Sequence, residues 1–96
     1  MSNGQPDKVV NITLNSSGLP VPDQDPIEIK KDSQKIKWCA DFQFTVDIED
    51  YTDLNYGNGG GCAFSAKTGY FTTEKKYKYS ITANGQTNDP EVDVKP

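Results

Sequence analysis

Apolar and polar residues alternate one by one along most of this chain, and this period of two limits the fold more than any other feature of the sequence. The clearest run covers residues 42–48, and a second covers residues 77–83. Alternation carried by β-branched and aromatic side chains is typical of strands with one buried and one solvated face. The sequence shows no apolar stripe at the spacing of an amphipathic helix.

Shorter alternating segments and the turns between them complete the pattern. Strands are expected around residues 10–14, 27–29, 36–38 and 92–94, a tight turn at Asn84-Gly85, and a glycine-rich loop over residues 55–61. A chain of 96 residues can bury one modest core. We therefore predict one all-β domain over residues 1–96, an antiparallel Greek-key β-sandwich of about seven strands. Residues 1–8 are expected to form a flexible N-terminal tail.

The composition argues against several classes of function. The formal net charge is -4, and every positive charge is a lysine, so the chain lacks the guanidinium groups that favour phosphate and guanine contacts. It also lacks histidine, the commonest acid–base group in catalysis. We predict a soluble, non-enzymatic monomer with no cofactor and no nucleic-acid or membrane partner. The missing signal peptide favours a cytoplasmic protein, whereas removal of a leader would make the same chain a secreted one.

The chain has two cysteines, Cys39 and Cys62. If they pair, the disulfide closes a loop of about two dozen residues and stabilises the fold by roughly 3 kcal/mol. A reducing compartment would instead keep two free buried thiols. The cysteines are too far apart for a CxxC redox motif, and without histidine they cannot build a usual zinc site. A disulfide and two free thiols both remain open.

The order of strands and turns resembles that of cupredoxin-like domains. Residues 26–38, followed by the strand over residues 42–48, are similar to the second and third strands of that family. The closing stretch, residues 77–81 and then residues 89–94, resembles its last two strands. The resemblance implies the two-sheet fold of that family.

Copper-carrying members of that family bind the metal with two imidazoles, one thiolate and a weak axial thioether. The resemblance implies that Phe42 or Gln43 stands at the place of the first imidazole and Ile81 at the place of the thiolate. Asn84 and Asn88 would stand at the places of the remaining ligands. It therefore implies a metal-free relative.

An immunoglobulin-like sandwich is the alternative fold. An antibody-type domain has a cysteine, then a tryptophan, then a second cysteine two residues after a corner tyrosine. In this chain Trp38 directly precedes Cys39, and Cys62 follows a run of glycines. This order counts against an antibody-type domain and leaves looser sandwiches open.

Aromatic residues supply the leading functional hypothesis. Several tyrosines and phenylalanines, Phe64 among them, form a wider set that could line a binding surface. The best candidates flank the glycine-rich loop, namely Tyr51, Tyr56, Tyr70 and Phe71. The competing interpretation is that these rings cap the ends of the sandwich. The sequence thus predicts a metal-free, cupredoxin-like binding or interaction module with a protein or carbohydrate partner.

Acidic residues supply a second hypothesis, a calcium-stabilised adhesive or carbohydrate-binding sandwich. Its candidate ligands are Asp47, Glu49, Asp50 and Asp53. Calcium takes six to eight oxygen ligands, and clustered carboxylates can provide them. The spacing differs from that of an EF-hand, and a solvated strand end explains the same residues.

Overall fold

The alternation seen in the sequence becomes a set of short strands with one buried face. The computed structural model describes residues 7–59 and 61–96. The strands are β1 Lys8–Leu14, β2 Pro20–Pro22, β3 Ile27–Lys30, β4 Ile36–Ala40, β5 Thr45–Ile48, β6 Leu54–Gly59, β7 Cys62–Thr68, β8 Lys76–Ala83, β9 Gln86–Asn88 and β10 Glu91–Lys95. The protein is all-β, and the described residues include no helix long and apolar enough to cross a membrane.

The strands form two five-stranded sheets. The first sheet has the order β2-β1-β4-β7-β6, in which β1 and β4 are parallel and the other neighbours antiparallel. The second has the order β3-β10-β8-β5, with β9 also paired to β8, and in it β3 and β10 are parallel. The chain passes from the first sheet to the second between β2 and β3, where the Asp25–Pro26 peptide bond is cis.

The inner faces of the two sheets share one apolar core. Trp38 of β4 and Tyr79 of β8 meet across it with ring centroids 5.3 Å apart, and the Trp38 indole N–H donates to the Tyr79 hydroxyl oxygen at 3.3 Å. Burial raises the pKa of the Tyr79 phenol above its ordinary value, because the phenolate would lose its hydration. Other fully buried side chains are Val10, Ile27, Ile29, Ile36, Phe71, Ile81 and Val92.

The architecture differs from the prediction in strand number and in strand direction. The part of the chain that the structure describes has ten strands rather than about seven, and both sheets are mixed rather than purely antiparallel. The unpredicted strands are β2, with two prolines, β6, rich in glycine, β7, whose burial pattern is irregular, and β9, with three residues. Strands of this kind form because a neighbouring strand pairs with them, and their own residue preferences contribute little.

The expected glycine-rich loop over residues 55–61 is mostly strand β6. Tyr56 lies opposite Ala66 of β7, and Leu54 lies opposite Thr68. The register shifts between Gly57 and Gly59, as at a β-bulge. The prediction of a loop over this segment was wrong because pairing with β7 outweighs the low strand preference of glycine.

The predicted N-terminal tail and the predicted tight turn can both be compared with the structure. The tail expected over residues 1–8 does not include Lys8, where β1 begins and whose amide donates to the Lys35 carbonyl at 2.9 Å. Residues 1–6 lie outside the described residues. The tight turn between β8 and β9 is confirmed, since Asn84 and Gly85 have φ angles of 55° and 72°.

A disulfide joins Cys39 of β4 to Cys62 of β7, with the Cα atoms 5.4 Å apart. β4 and β7 are hydrogen-bonded neighbours in the first sheet. The disulfide of an antibody-type domain joins the two sheets of the sandwich. The bond in this protein therefore holds one sheet together, at the corner where the chain returns from β6 into β7.

Candidate functional site

Tyr56 connects the two sheets at one side of the molecule. It lies on β6 at the edge of the first sheet, and its side chain reaches β5 at the edge of the second. The Tyr56 hydroxyl accepts a hydrogen bond from the Val46 N–H at 2.8 Å and donates one to the Val46 carbonyl at 2.9 Å. One phenol thus pairs with both backbone groups that Val46 directs away from its own sheet.

Beside Tyr56, a cavity of about 210 Å³ opens between the edges of the two sheets. We call it the aromatic groove. Its lining consists of Gln43, Phe44 and Thr45 at the β5 side and Tyr56, Gly57, Phe64 and Ser65 at the side of β6 and β7. None of these side chains carries a charge, and the polar groups are one amide and three hydroxyls.

Two large aromatic side chains of the groove remain exposed. Tyr56 is 52% exposed and Phe64 is 40% exposed. Phe64 lies where the alternation of β7 is interrupted, because Ala63 and Phe64 are both exposed. Large apolar side chains that converge on one concavity are a feature of recognition sites in soluble proteins.

The four aromatic residues predicted as a ligand surface do not lie together. Phe71 is 0% exposed and stacks on Tyr51, with ring centroids 4.2 Å apart and planes 15° apart. Phe71 also contacts Tyr77 edge-on at 5.1 Å. Phe71 therefore belongs to the core, where a ligand cannot reach it, and Tyr51 covers that end of the core.

Burial also raises the pKa of the Tyr51 phenol, and the nearby Asp53 carboxylate raises it further. Tyr70 is half exposed but lies outside the groove, with the Lys35 ammonium 4.8 Å from its ring centroid. Of the four predicted residues, only Tyr56 lines the groove. Phe64, which belonged only to the wider aromatic set, lines it as well.

The predicted calcium ligands point to different places. Asp47 and Glu49 lie on the solvated face of the second sheet, whereas the Asp50 carboxylate accepts a hydrogen bond from the Lys75 ammonium at 3.2 Å. Asp53 lies beside Gly69, next to Tyr51. Within residues 7–59 and 61–96, no group of three or more acidic or cysteine side chains is placed to hold a metal ion. The geometry does not support the calcium site.

The positions implied for copper ligands are occupied by side chains with structural contacts. Ile81 is fully buried in β8, and Phe42 packs against the core. Asn84 forms the turn after β8, and the side-chain amide of Asn88 donates a hydrogen bond to the Pro20 carbonyl at 3.1 Å. Gln43 is the member of this set that lines the groove.

Wider depressions lie on the solvated faces of both sheets. One of about 420 Å³ contains Asp47, Glu49 and Asp89, and the Ser80 hydroxyl donates to the Asp89 carboxylate at 3.1 Å. Another of about 400 Å³ contains Lys37 and Lys67 with several polar neighbours. Such mixed charged surfaces are what a soluble domain presents to water, so the aromatic groove is the stronger candidate.

Comparison with known proteins adds no assignment, since no protein-family model and no curated protein matches the chain. Sequence reasoning also missed Phe44 and Thr45 as walls of the groove. They line it because β5 and β6 are edge strands on the same side of the two sheets. The aromatic character of Phe64 was the local signal in the sequence, whereas the exposure of Ala63 and Phe64 is seen only in the structure.

Proposed function

We propose that this chain is a non-enzymatic binding module, built as a metal-free cupredoxin-like sandwich, that binds a protein partner in the aromatic groove. The observation that carries the proposal is the exposure of Tyr56 and Phe64 around one uncharged cavity. Aromatic side chains in a concave, apolar setting contribute most of the binding energy in many interfaces.

The cupredoxin-like part of the proposal is supported by the segments that carry the resemblance. They coincide with β3, β4, β5, β8 and β10, which supply most of the core. The immunoglobulin-like alternative has less support, because its sheets are antiparallel and its disulfide joins the two sheets. Here both sheets are mixed and the Cys39–Cys62 bond stays within one of them.

The non-enzymatic part is supported by the groove lining. It contains no carboxylate, amine or thiol that could act as a nucleophile or a general base. Among the residues that the structure describes, the raised pKa values belong to Tyr51, Tyr79 and Lys95, and none of these three lines the groove. Perturbed titratable groups in a cleft are the usual sign of a catalytic site.

A protein partner fits the groove better than a carbohydrate does. The cavity is smaller than the roughly 300–1,000 Å³ of typical small-molecule pockets, and Gln43, Thr45 and Ser65 provide few groups to bind a hydroxyl-rich ligand. One apolar side chain of a partner matches both the volume and the lining.

The test screens the protein against a displayed random-peptide library and a glycan array. We expect selected peptides to bind the Phe64→Ala variant about tenfold or more weakly, as expected for a loss of about 1.4 kcal/mol. Tyr70→Ala is the control, because Tyr70 is 50% exposed, somewhat more than Phe64, but lies outside the groove. Peptides that bind both variants equally would contradict the site, and binding to glycans alone would contradict a protein partner.

A further inference from the structure

Two of the sheet edges are blocked by their own sequence. In an antiparallel ladder, the backbone groups of successive residues point alternately toward the paired strand and away from it. The Asp23 amide donates to the Asn11 carbonyl, so Asp23 points toward β1. The backbone groups of Pro22 and Pro20 therefore point outward from β2. Proline has no N–H, so the outer edge of β2 lacks the donors that an added strand needs. β3 at the edge of the second sheet has four residues and alternates apolar and charged side chains.

Side chains close the remaining edges of the second sheet. The Glu49 amide donates to the Lys78 carbonyl, so the same alternation turns Val46 of β5 outward. The Tyr56 hydroxyl pairs with both of its backbone groups. β9 has only three residues, and the side-chain amide of its Asn88 donates a hydrogen bond to the Pro20 carbonyl of β2.

β6 has neither kind of protection. The Gly69 amide donates to the Asp53 carbonyl at 3.3 Å, so Asn55 pairs with β7 and the backbone N–H and C=O of Tyr56 point outward. β6 contains no proline and no charged residue, and within the described residues no side chain caps the Tyr56 backbone. Its glycines leave room for another backbone to approach closely.

We propose that an extended peptide segment of the partner adds to β6 as a further strand of the first sheet. This inference rests on the proposed function, because every second side chain of the added strand would face the aromatic groove beside Tyr56. Backbone hydrogen bonds to β6 supply affinity, and the side chain that enters between Phe44 and Phe64 supplies specificity.

The chemistry of the groove and its surroundings defines the segment. The uncharged lining requires an apolar residue at the central position. The overall net charge of -4 favours basic residues at the ends of the segment, because they speed its encounter with an acidic domain. A second copy of the chain is a poorer occupant, because one short, glycine-rich edge presents few side chains toward the roughly 1,200–2,000 Å² that a stable protein interface buries.

The test uses a heptapeptide of alternating threonine and valine with a central phenylalanine and a lysine at each end, its termini acetylated and amidated. Amide hydrogen exchange of the protein is followed by NMR with and without this peptide. At a peptide concentration about ten times the Kd, we expect exchange at the Tyr56 amide to slow about tenfold. Two versions of the peptide, N-methylated at alternate residues along one edge or along the other, serve as matched controls, and only one of them should bind.

The outcomes separate this inference from the proposed function. Slowed exchange at Tyr56, loss of binding on methylation of one peptide edge, and weaker binding to Phe64→Ala support both. Binding that depends on Phe64 but leaves Tyr56 exchange unchanged and tolerates methylation of either edge overturns strand addition and leaves the groove as the site. Unchanged exchange at Tyr56 at millimolar peptide also overturns strand addition.

Discussion

At the scale of single residues, Tyr56 has two roles that depend on different atoms. Its hydroxyl satisfies the N–H and C=O of Val46, and its half-exposed ring forms one wall of the groove. A phenol is suited to this combination because an apolar ring carries a polar group at its far end. Replacing the hydroxyl alone therefore separates its contribution to stability from the binding role that we propose for the ring.

The Tyr56→Phe variant is expected to be less stable by about 1–2 kcal/mol, because the Val46 N–H and C=O lose their partner in a partly buried setting. Urea unfolding measures the change. Tyr70→Phe is the control, since the Tyr70 hydroxyl has no partner among the described residues and its loss should leave stability unchanged. Equal stability of Tyr56→Phe and the unmodified protein would refute the role of the hydroxyl.

The buried phenols predict a loss of stability in alkali. The pKa of Tyr79 is raised in the folded protein, so above the ordinary tyrosine pKa of about 10 the unfolded chain releases a proton that the folded protein keeps. The contribution of the protonated Tyr79 to the free energy of unfolding is complete below that pH, and it is lost as the pH rises toward the pKa of Tyr79 in the folded protein. One such group lowers the free energy of unfolding by at most about 1.4 kcal/mol per pH unit.

Urea unfolding at a series of pH values checks this prediction. The Tyr79→Phe variant should lose less stability than the unmodified protein between about pH 10 and pH 11, although loss of the Trp38 hydrogen bond lowers its stability at neutral pH. Parallel alkaline curves for the two proteins would show that Tyr79 does not cause the loss.

At the scale of strands, the sequence predicts the elements whose own residues alternate. β1, β3, β4, β5, β8 and β10 follow from the period of two, and their inward residues form most of the core. The tight turn at Asn84 and Gly85 follows from residues that accept positive φ angles. These features are local, so a single sequence contains the information for them.

The strands that build the candidate site depend on distant partners and were not predictable in this way. β6 is stabilised by pairing with β7, and the groove requires β5 and β6 to lie on the same side of two different sheets. Tyr56 could be named from the sequence, but its contact with Val46 could not. Phe71 was misassigned because its sequence surroundings are polar although the ring is buried.

The disulfide is expected to stabilise the fold by roughly 3 kcal/mol, because it closes a loop with a sequence separation of 23 in the unfolded chain. Urea unfolding of the oxidised protein and of the Cys39→Ala, Cys62→Ala double variant gives the difference. The backbone hydrogen bonds between β4 and β7 do not involve the sulfur atoms, so we expect the double variant to remain folded. A stability difference near zero would contradict the prediction.

At the scale of the whole molecule, protection of the sheet edges is uneven. The outer edge of β2 consists of proline backbone, β3 is short and charged, and β5 is capped by Tyr56. Within residues 7–59 and 61–96, nothing pairs with the outer edge of β6, which lies next to an uncharged aromatic cavity. Natural β-proteins protect exposed edges against unwanted pairing, and the proposed strand addition rests on this difference between β6 and the other edges.

Residue-resolved amide hydrogen exchange of the free protein tests this account most directly. We predict that the Tyr56 amide exchanges rapidly, whereas the amide of its neighbour Asn55, paired with Lys67, is protected. The Val46 amide, although on an edge strand, should be protected by the Tyr56 hydroxyl. A Tyr56 amide as protected as that of Asn55 would mean that the edge of β6 is already occupied, and it would contradict the account.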